Sequence, residues 1–400
     1  MSAVERTPPA AAPPPPLLRT PLFPFHQGHH AHLVPFAGWE MPLYYEGILA
    51  EHEAVRSSAG LFDVSHMGIL TVRGASATAL LARRTTADVA RLAPGQVRYT
   101  FLLNLDGQIV DDLLVTRVDA GGDEPASYVV VPNAATTPRV FDLLRQHRRP
   151  DTEIARHNGR VAILAVQGPK APGILEATFG WPISEVPFYH ARLFGARRSG
   201  PVPKEGRLGV DLARDLSDGV LVSRTGYTGE AGAELFVPAE RAREVAEELV
   251  EAGARPVGLG ARDTLRMEKG YLLSGQDFQE DRTPFEAAQD RFVDLDHPFV
   301  GRETLEKQRK EGVKVRFSGI SVPAPDAIPR HGTPVLSEGK EVAIATSGGL
   351  SPTLHHGIAL AYLPVALSTP GTALTLDVRG RAAPAEVVKL PFVNAARRAA

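Results

Sequence analysis

The sequence predicts an α+β protein of more than one domain, with two mixed α/β regions followed by an all-β C-terminal domain. Three observations lead to this prediction. The chain has 400 residues, which is more than a single hydrophobic core usually accommodates. Helical and strand-like segments alternate up to about residue 315. Beyond that point only short β-like runs remain, at the spacing of a small antiparallel barrel or sandwich.

Composition excludes several classes of protein. Hydrophobic residues make up 43% and charged residues 22%, as in ordinary globular chains. The formal net charge is −2 and no run of five or six like charges occurs, which disfavours nucleic acid or an anionic membrane as a partner. No apolar stretch reaches the roughly 18–20 residues that span a bilayer. The absence of cysteine excludes disulfides, thiolate nucleophiles and cysteine-bound zinc or iron–sulfur clusters.

The first 19 residues are rich in proline and lack the apolar core of a signal peptide. They also lack the arginine- and serine-rich, acid-poor composition of a mitochondrial presequence. We therefore expect residues 1–19 to be a disordered, extended tail, and the protein to be cytoplasmic.

Several elements are predicted along the chain after the tail. GILAEHEAVRSSAG (47–60) indicates a helix with Gly60 just past its end, MGILTVRG (67–74) a strand, and ASATALLARRTT (75–86) a helix. The clearest signal is a β-hairpin between residues 97 and 118, where two β-rich runs flank Asp106-Gly107. The later predicted elements are helices within VFDLLRQH, RAREVAEELVEAG and GLGARDTLRMEKG, strands in YVVVPN and VAILAVQGP, and a strand–glycine loop–strand over residues 219–238.

Asp111 and Asp112 stand in an otherwise apolar strand of the hairpin. Aspartate is depleted in strands and an unpaired buried charge is costly, so the pair is a candidate functional group. Successive strand residues face opposite sides, so only one of the two can point into a given pocket. Capping of the sheet edge or pairing with arginines explains the pair equally well.

Two further segments carry suitable side chains for a ligand site. The glycine-rich loop over residues 224–234 lets the backbone approach a ligand and offers the flat face of Tyr227, although a plain β-turn also explains it. Arg262 and Arg266 share a helix face and could hold a carboxylate. A salt-bridge ladder on the helix surface, with Asp263 paired to Arg266, is an equal alternative.

Other motifs give little support to other functions. Four clustered histidines could bind a metal, namely His26, His29, His30 and His32. A solvated segment beside the tail is the simpler interpretation, and no metal site is predicted. No P-loop, zincin or α/β-hydrolase motif is present.

Taken together, the motifs resemble the glycine cleavage T-protein family, and the similarity covers nearly the whole chain after the tail. The match is specific because several motifs occur together in the same order, and no single motif would be as specific. The matching segments are FAGWEMPLYY (36–45), LFDVSHMG (61–68), LLNLDGQIVDDLLV (102–115), AVQGPKA (165–171), SRTGYTGEAGAELFVP (223–238), PVGLGARDTLRMEKGYLLSGQD (256–277) and SGGLSPTLHHGIALAYL (347–363).

The resemblance implies an aminomethyltransferase. Members of the family take an aminomethyl group from the lipoyl arm of a carrier, the H-protein, and pass its carbon to tetrahydrofolate. The products are 5,10-methylenetetrahydrofolate, ammonia and the reduced lipoyl arm, and neither metal nor flavin is required. Tetrahydrofolate is thus expected as the acceptor substrate and lipoylated H-protein as the partner. A non-catalytic folate-binding module and a related folate-dependent demethylase are the alternatives.

The resemblance also implies a three-domain cloverleaf around a central folate channel. The first two domains are discontinuous in sequence and the third is a C-terminal all-β, barrel-like domain. The expected first domain comprises residues 20–70 and 158–277, the second residues 71–157 and 278–315, and the third residues 316–400.

Site residues are carried over from the matching motifs. Asp112 is expected to orient the substrate amines and to stabilise an iminium-like cation, with Asp111 in a supporting role. Glu234 would accept the N–H donors of the pterin edge, and Arg262 with Arg397 would bind the anionic glutamate tail. The other predicted folate-binding residues are Met67, Tyr99, Asn133, Tyr227 and Tyr271.

Some residues of the motifs are given no role in binding. Trp39, His66 and the segment 351–353 are expected to be structural. Many relatives have two glycines in the hairpin turn, whereas here Gln108 follows Gly107. This difference alters the approach to Asp112 unless Gln108 faces solvent.

Overall fold

The computed structural model describes residues 16–118, 125–195, 212–217, 219–324 and 326–394. None of the helices in these ranges is both long and apolar enough to cross a membrane. The helices are α1 (Phe23–Gly28), α2 (Ile48–Ser57), α3 (Ala77–Arg84), α4 (Thr137–His147), α5 (Ala171–Phe179), α6 (Leu212–Asp215), α7 (Ala239–Glu251), α8 (Leu259–Lys269) and α9 (Arg302–Glu311).

The strands form a two-stranded hairpin, two open sheets and a closed barrel. They are β1 (His32–Phe36), β2 (Trp39–Tyr44), β3 (Gly60–Asp63), β4 (Leu70–Gly74), β5 (Val97–Leu103), β6 (Ile109–Arg117), β7 (Ser127–Val131), β8 (Thr152–Arg156), β9 (Val161–Gln167), β10 (Ala191–Gly195), β11 (Gly219–Ser223), β12 (Gly232–Pro238), β13 (Arg255–Pro256), β14 (Val315–Val322), β15 (Pro334–Ser337), β16 (Lys340–Ser351), β17 (His356–Pro364), β18 (Ala373–Val378) and β19 (Arg381–Val388).

The first open sheet has the order β10-β11-β12-β9-β3-β13. Its strand β9 is buried along its whole length because both faces of the sheet are covered. Ala162, Leu164 and Val166 pack into the core that contains α5 and α7, while Ile163 and Ala165 pack into the core beneath α8. Burial on both faces explains why this strand is a continuous apolar run and does not alternate.

The second open sheet has the order β5-β6-β7-β4-β8, and α3 and α4 cover one of its faces. The predicted hairpin is confirmed, since β5 and β6 pair antiparallel with Asp112 opposite Phe101. A bulge follows Leu102, where the register shifts by one residue. This irregularity lies directly beside the aspartate pair.

The C-terminal strands close into a barrel of order β14-β17-β16-β15-β18-β19. These strands confirm the short β-like runs predicted beyond about residue 315. The predicted fold class is therefore confirmed: two mixed α/β parts precede an all-β barrel. The expected domain boundaries remain a prediction.

Two local predictions differ from the structure. Gly60 does not end helix α2, which stops at Ser57, but is the first residue of β3. A side chain there would collide with Val55 and Val257, so the close approach of helix and sheet requires glycine at this position. Within the predicted tail, the backbone of Leu18 forms a β-bridge with Trp39, although the Leu18 side chain is exposed. Residues 1–15 of that tail lie outside the described ranges.

Candidate active site

A large cavity lies between the two open sheets. It encloses about 1410 Å³ of space free of protein atoms, counting its open mouth. Eight of the nine residues predicted to bind folate line it, namely Met67, Tyr99, Asp112, Asn133, Tyr227, Glu234, Arg262 and Tyr271. Arg397, the ninth, lies outside the described residues. Residues far apart in the sequence are thus brought to one site.

The aspartate pair is held by a single asparagine. The Asn133 side-chain amide donates to Oδ1 of Asp111 at 2.8 Å and to Oδ1 of Asp112 at 2.7 Å, and the Asn133 backbone N–H donates to Asp111 at 3.0 Å. The Tyr99 hydroxyl donates to the second oxygen of Asp112 at 2.7 Å. Asp112 lines the cavity, whereas Asp111 is fully buried.

Both carboxyl groups of the pair have raised pKa values. Burial, together with the charge of Asp112, raises the pKa of Asp111 to about 7. Burial also raises the pKa of Asp112, but hydrogen bonds from Tyr99 and Asn133 oppose this effect. The charge of Asp112 thus favours the protonated form of Asp111, the fully buried member of the pair, while Asp112 lines the cavity.

A second carboxylate, Glu234 of β12, lies in the same cavity. The Thr225 hydroxyl donates to it, and the charge of Arg262 favours its ionised form, although burial raises its pKa. The Arg262 guanidinium lies over the Tyr227 ring, 4.6 Å from its centre. Tyr271 stacks against Tyr227 with ring centres 5.6 Å apart. The site thus combines a carboxylate, a cation and two flat rings.

Comparison with known proteins shows to which family the chain belongs. A model of the GCVT N-terminal domain matches residues 22–197 and 215–297, and a model of the glycine cleavage T-protein C-terminal barrel domain matches residues 316–394. The chain belongs to the glycine cleavage T-protein family. An aminomethyltransferase of Halothermothrix orenii is 41% identical over 383 residues, covering 94% of this chain and 99% of the relative. One from a Synechococcus strain is 42% identical over the same shares of both chains.

A solved structure of a T-protein shows the same fold. The crystal structure of glycine cleavage system aminomethyltransferase T from Bartonella henselae superposes with a TM-score of 0.83 at 32% identity. The match covers 94% of this chain and 98% of that structure. The family and the fold are therefore established over the two sheets and the barrel alike.

Gln167 fixes the glycine-rich loop of this T-protein family member. Its side-chain oxygen accepts from the Thr228 hydroxyl at 2.9 Å, and its amide donates to the Thr225 carbonyl at 3.2 Å. Gly226 passes so close to the Gln167 amide that any side chain there would collide with it. Gln167 therefore fixes the loop on both sides of Tyr227, a role that the sequence motif did not reveal.

Replacing Gln167 with Ala is expected to weaken tetrahydrofolate binding about 10-fold. The change frees the loop around Tyr227, leaves the Thr225 carbonyl without its partner and leaves the Thr228 hydroxyl with only the Glu230 backbone N–H, which costs about 1–3 kcal/mol of stability. Titration calorimetry and denaturant unfolding measure the two effects. Gln308→Ala is the matched control, since Gln308 binds Thr283 and does not line the cavity. Unchanged affinity in the Gln167 variant would contradict the assigned role.

Stability should depend on pH through Asp111. Its folded-state pKa of about 7 lies above the ordinary value of 3.8. Only the unfolded chain then releases the proton between these values, so the free energy of unfolding falls as pH rises from about 4 to 7. In the Asp111→Asn variant the free energy of unfolding should fall less over this pH range, by on the order of a few kcal/mol, because the variant has no proton to lose at this position. Denaturant unfolding of both proteins at several pH values tests this, and parallel curves would contradict it.

Helix α8 joins the cavity to the barrel. The predicted pairing of Arg266 with Asp263 is present at 2.8 Å, but Arg266 is fully buried and does not belong to a surface ladder. It also donates to Asp277 at 2.8 Å and to Ser347 of the barrel at 2.8 Å. Arg262 alone of the two arginines faces the cavity, so they do not act on one carboxylate.

Glu268, two residues further along α8, makes a second connection to the barrel. It accepts from Ser351 at 2.6 Å, from the Thr353 hydroxyl at 2.9 Å and from Arg56 at 2.6 Å. Burial disfavours its ionised form, but hydrogen bonds from His52 and its other partners outweigh this and lower its pKa to about 2. Ser351 and Thr353 thus have the structural role expected for them.

The remaining predicted features have ordinary partners. Gln108 bonds within its own turn, donating through its backbone to Asn104 at 3.0 Å, and it does not line the cavity. His26 lies between Tyr45 and Asp63, each within 2.9 Å. In the described part of the chain, no three histidine, aspartate or glutamate residues are grouped as a metal site.

The structure adds residues that sequence reasoning missed. Tyr189, Arg291 and Phe292 line the mouth of the cavity, and Phe292 packs edge-on against Tyr99 with ring centres 4.6 Å apart. They lie outside the motifs that carried the resemblance, so no signal in those motifs pointed to them. His66 also borders the cavity, although its motif suggested only a structural role.

Proposed function

We propose that this protein is an aminomethyltransferase of the glycine cleavage system. It would transfer the one-carbon unit from the aminomethyl-dihydrolipoyl arm of the H-protein to tetrahydrofolate. The observation that carries the proposal is the Asp112 carboxyl group, held by Tyr99 and Asn133 on the wall of a largely apolar cavity. The similarity to curated aminomethyltransferases over 94% of the chain supports it.

The reaction requires stabilisation of positive charge. S–CH2–NH3⁺ and tetrahydrofolate, with its N5 and N10 protons, give the reduced thiol, ammonium and 5,10-methylenetetrahydrofolate, with no change in total charge. The carbon is already at the formaldehyde oxidation level, so no oxidant is needed. A fixed carboxylate such as Asp112 stabilises the ammonium and the developing iminium ion, and it can accept the N10 proton.

The other cavity residues suit the rest of a folate. Glu234 can accept adjacent N–H donors of the pterin edge, and Arg262 can pair with the glutamate carboxylates. Tyr227 and Tyr271 offer faces and edges to the pterin and benzoyl rings. Asn133 orients Asp112, and Met67 contributes apolar surface. Arg397 is proposed as a second cation for the tail.

The proposed reaction uses neither a metal nor a flavin. Lipoylated H-protein is the proposed donor partner, and its arm would have to enter the cavity to reach Asp112, which lines it. We place the reaction in the cytoplasm.

Ammonia release from aminomethylated H-protein tests the function. The purified protein should release ammonia only when tetrahydrofolate is present and should form 5,10-methylenetetrahydrofolate in equal amount. Folate binding without ammonia release would indicate a non-catalytic folate-binding module. Activity on a methylated sulfur compound in place of the carrier would indicate a demethylase.

A further inference from the structure

His66 and His297 are buried histidines whose Nδ1 atoms have no partner among the described residues, and of the two only His66 borders the cavity. It follows β3 in the turn that also carries Met67, borders the cavity and is 3% exposed. Its Nδ1 atom is buried and has no hydrogen-bond partner among the described residues. Such a group is unusual because buried polar atoms are nearly always paired with protein, water or ligand.

Three other buried histidines show what satisfied rings look like in this protein. His26 contacts Tyr45 and Asp63, and both ring nitrogens of His52 and of His157 likewise have partners. By contrast, the His66 ring packs edge-to-face against Phe36, with ring centres 5.6 Å apart. Packing positions His66, and its Nδ1 atom has no partner among the described residues.

The surroundings of His66 determine its charge. Burial, and next the positive charge of Arg262, lower its pKa to about 4, against a smaller opposite effect of Asp63. The ring is therefore neutral at pH 7 and offers one N–H donor and one acceptor. A neutral donor beside Arg262 can add a hydrogen bond to an anion without bringing a second desolvated cation into the site.

We propose that His66 is a ligand-binding residue that hydrogen-bonds the glutamate-bearing half of the folate next to Arg262. The proposal rests on the proposed function, because it takes folate as the ligand of the cavity. It makes His66 a determinant of specificity for folates over pterins that lack the tail.

Binding to two variants tests the proposal. His66→Phe keeps a flat ring against Phe36 and removes both nitrogens, whereas His66→Gln keeps a donor and an acceptor. Dissociation constants for tetrahydrofolate and for 6-methyltetrahydropterin, which lacks the tail, are measured by titration calorimetry. We expect His66→Phe to weaken tetrahydrofolate binding about 10-fold, as for one lost hydrogen bond, and to change 6-methyltetrahydropterin binding less than about 2-fold. His66→Gln should recover part of the loss.

Nitrogen-15 spectra of histidine-labelled wild-type protein provide a measurement that needs no variant. Tetrahydrofolate should shift the His66 ring resonances, and 6-methyltetrahydropterin should not. Unchanged tetrahydrofolate affinity in a folded His66→Phe variant, equal losses for both ligands, or unshifted resonances would each overturn the proposal. Failure of the wild-type protein to bind tetrahydrofolate at all would instead refute the proposed function.

Discussion

Replacing Asp112 with Asn should lower turnover at least about 100-fold while tetrahydrofolate still binds within a few-fold of wild type. The amide keeps the shape of the side chain and can still bond to Tyr99 and Asn133, so the cavity wall is preserved. What disappears is the negative charge that stabilises the ammonium and the iminium ion and receives the N10 proton. Effects of this kind are typically about 10²–10⁴-fold in rate.

Single-turnover ammonia release from aminomethylated H-protein, with tetrahydrofolate binding measured in parallel, separates rate from affinity. Asp111→Asn is the matched control, because Asp111 bonds to the same asparagine but does not line the cavity. It should have the milder effect. Near-normal release by the Asp112 variant, or a larger loss at Asp111 in a folded protein, would contradict the assignment of Asp112 as the catalytic residue.

Replacing Glu234 with Ala is expected to weaken tetrahydrofolate binding by about 2–3 kcal/mol, as for a lost charge-assisted hydrogen bond. Glu234 is half-buried, its carboxylate interacts with the charge of Arg262, and it accepts a hydrogen bond from the Thr225 hydroxyl, so its position in the cavity is fixed before a donor pair binds. In water the pterin edge is fully hydrated. In this variant that edge would enter the cavity without a partner.

Titration calorimetry with tetrahydrofolate and 6-methyltetrahydropterin distinguishes the two ends of the ligand. Glu234→Ala should weaken both ligands, whereas Arg262→Ala should weaken mainly the one with the glutamate tail. Thr225→Val is the control for loss of the supporting hydroxyl alone and should have the smaller effect. Equal affinity of wild-type protein for the two ligands would contradict the role given to Arg262.

Local chemistry made much of the fold predictable. The Asp106-Gly107 turn between two β-rich runs correctly indicated β5 and β6, and the periodicity of residues 241–253 indicated α7. Gly60 was misjudged because a glycine after a helix pattern also suits a strand packed tightly under that helix. The difference lies in contacts with Val55 and Val257, and the latter is distant in sequence.

Site residues could be predicted where they belong to a specific motif. They could not be predicted where their role depends on tertiary contacts. The aspartate pair stood out because charge is rare in an apolar strand. Arg266 has the same side chain as Arg262 one turn away, yet it binds Asp277 and Ser347, and only the fold reveals this. Neither the loop contacts of Gln167 nor the unpaired nitrogen of His66 leaves a trace in residue type or spacing.

The connections of α8 to the barrel limit how far this architecture is modular. The barrel occupies one continuous stretch of sequence, which suggests a unit that recombination could exchange between relatives. Yet Ser347 and Ser351 bond to a buried arginine and a buried glutamate of the same rigid helix that presents Arg262 to the cavity. A transplanted barrel without those hydroxyls would leave interior charges with fewer partners. A chimaera would therefore keep the helix that carries Arg262 in place only if its barrel supplied hydroxyl groups at positions 347 and 351, although neither serine lines the cavity.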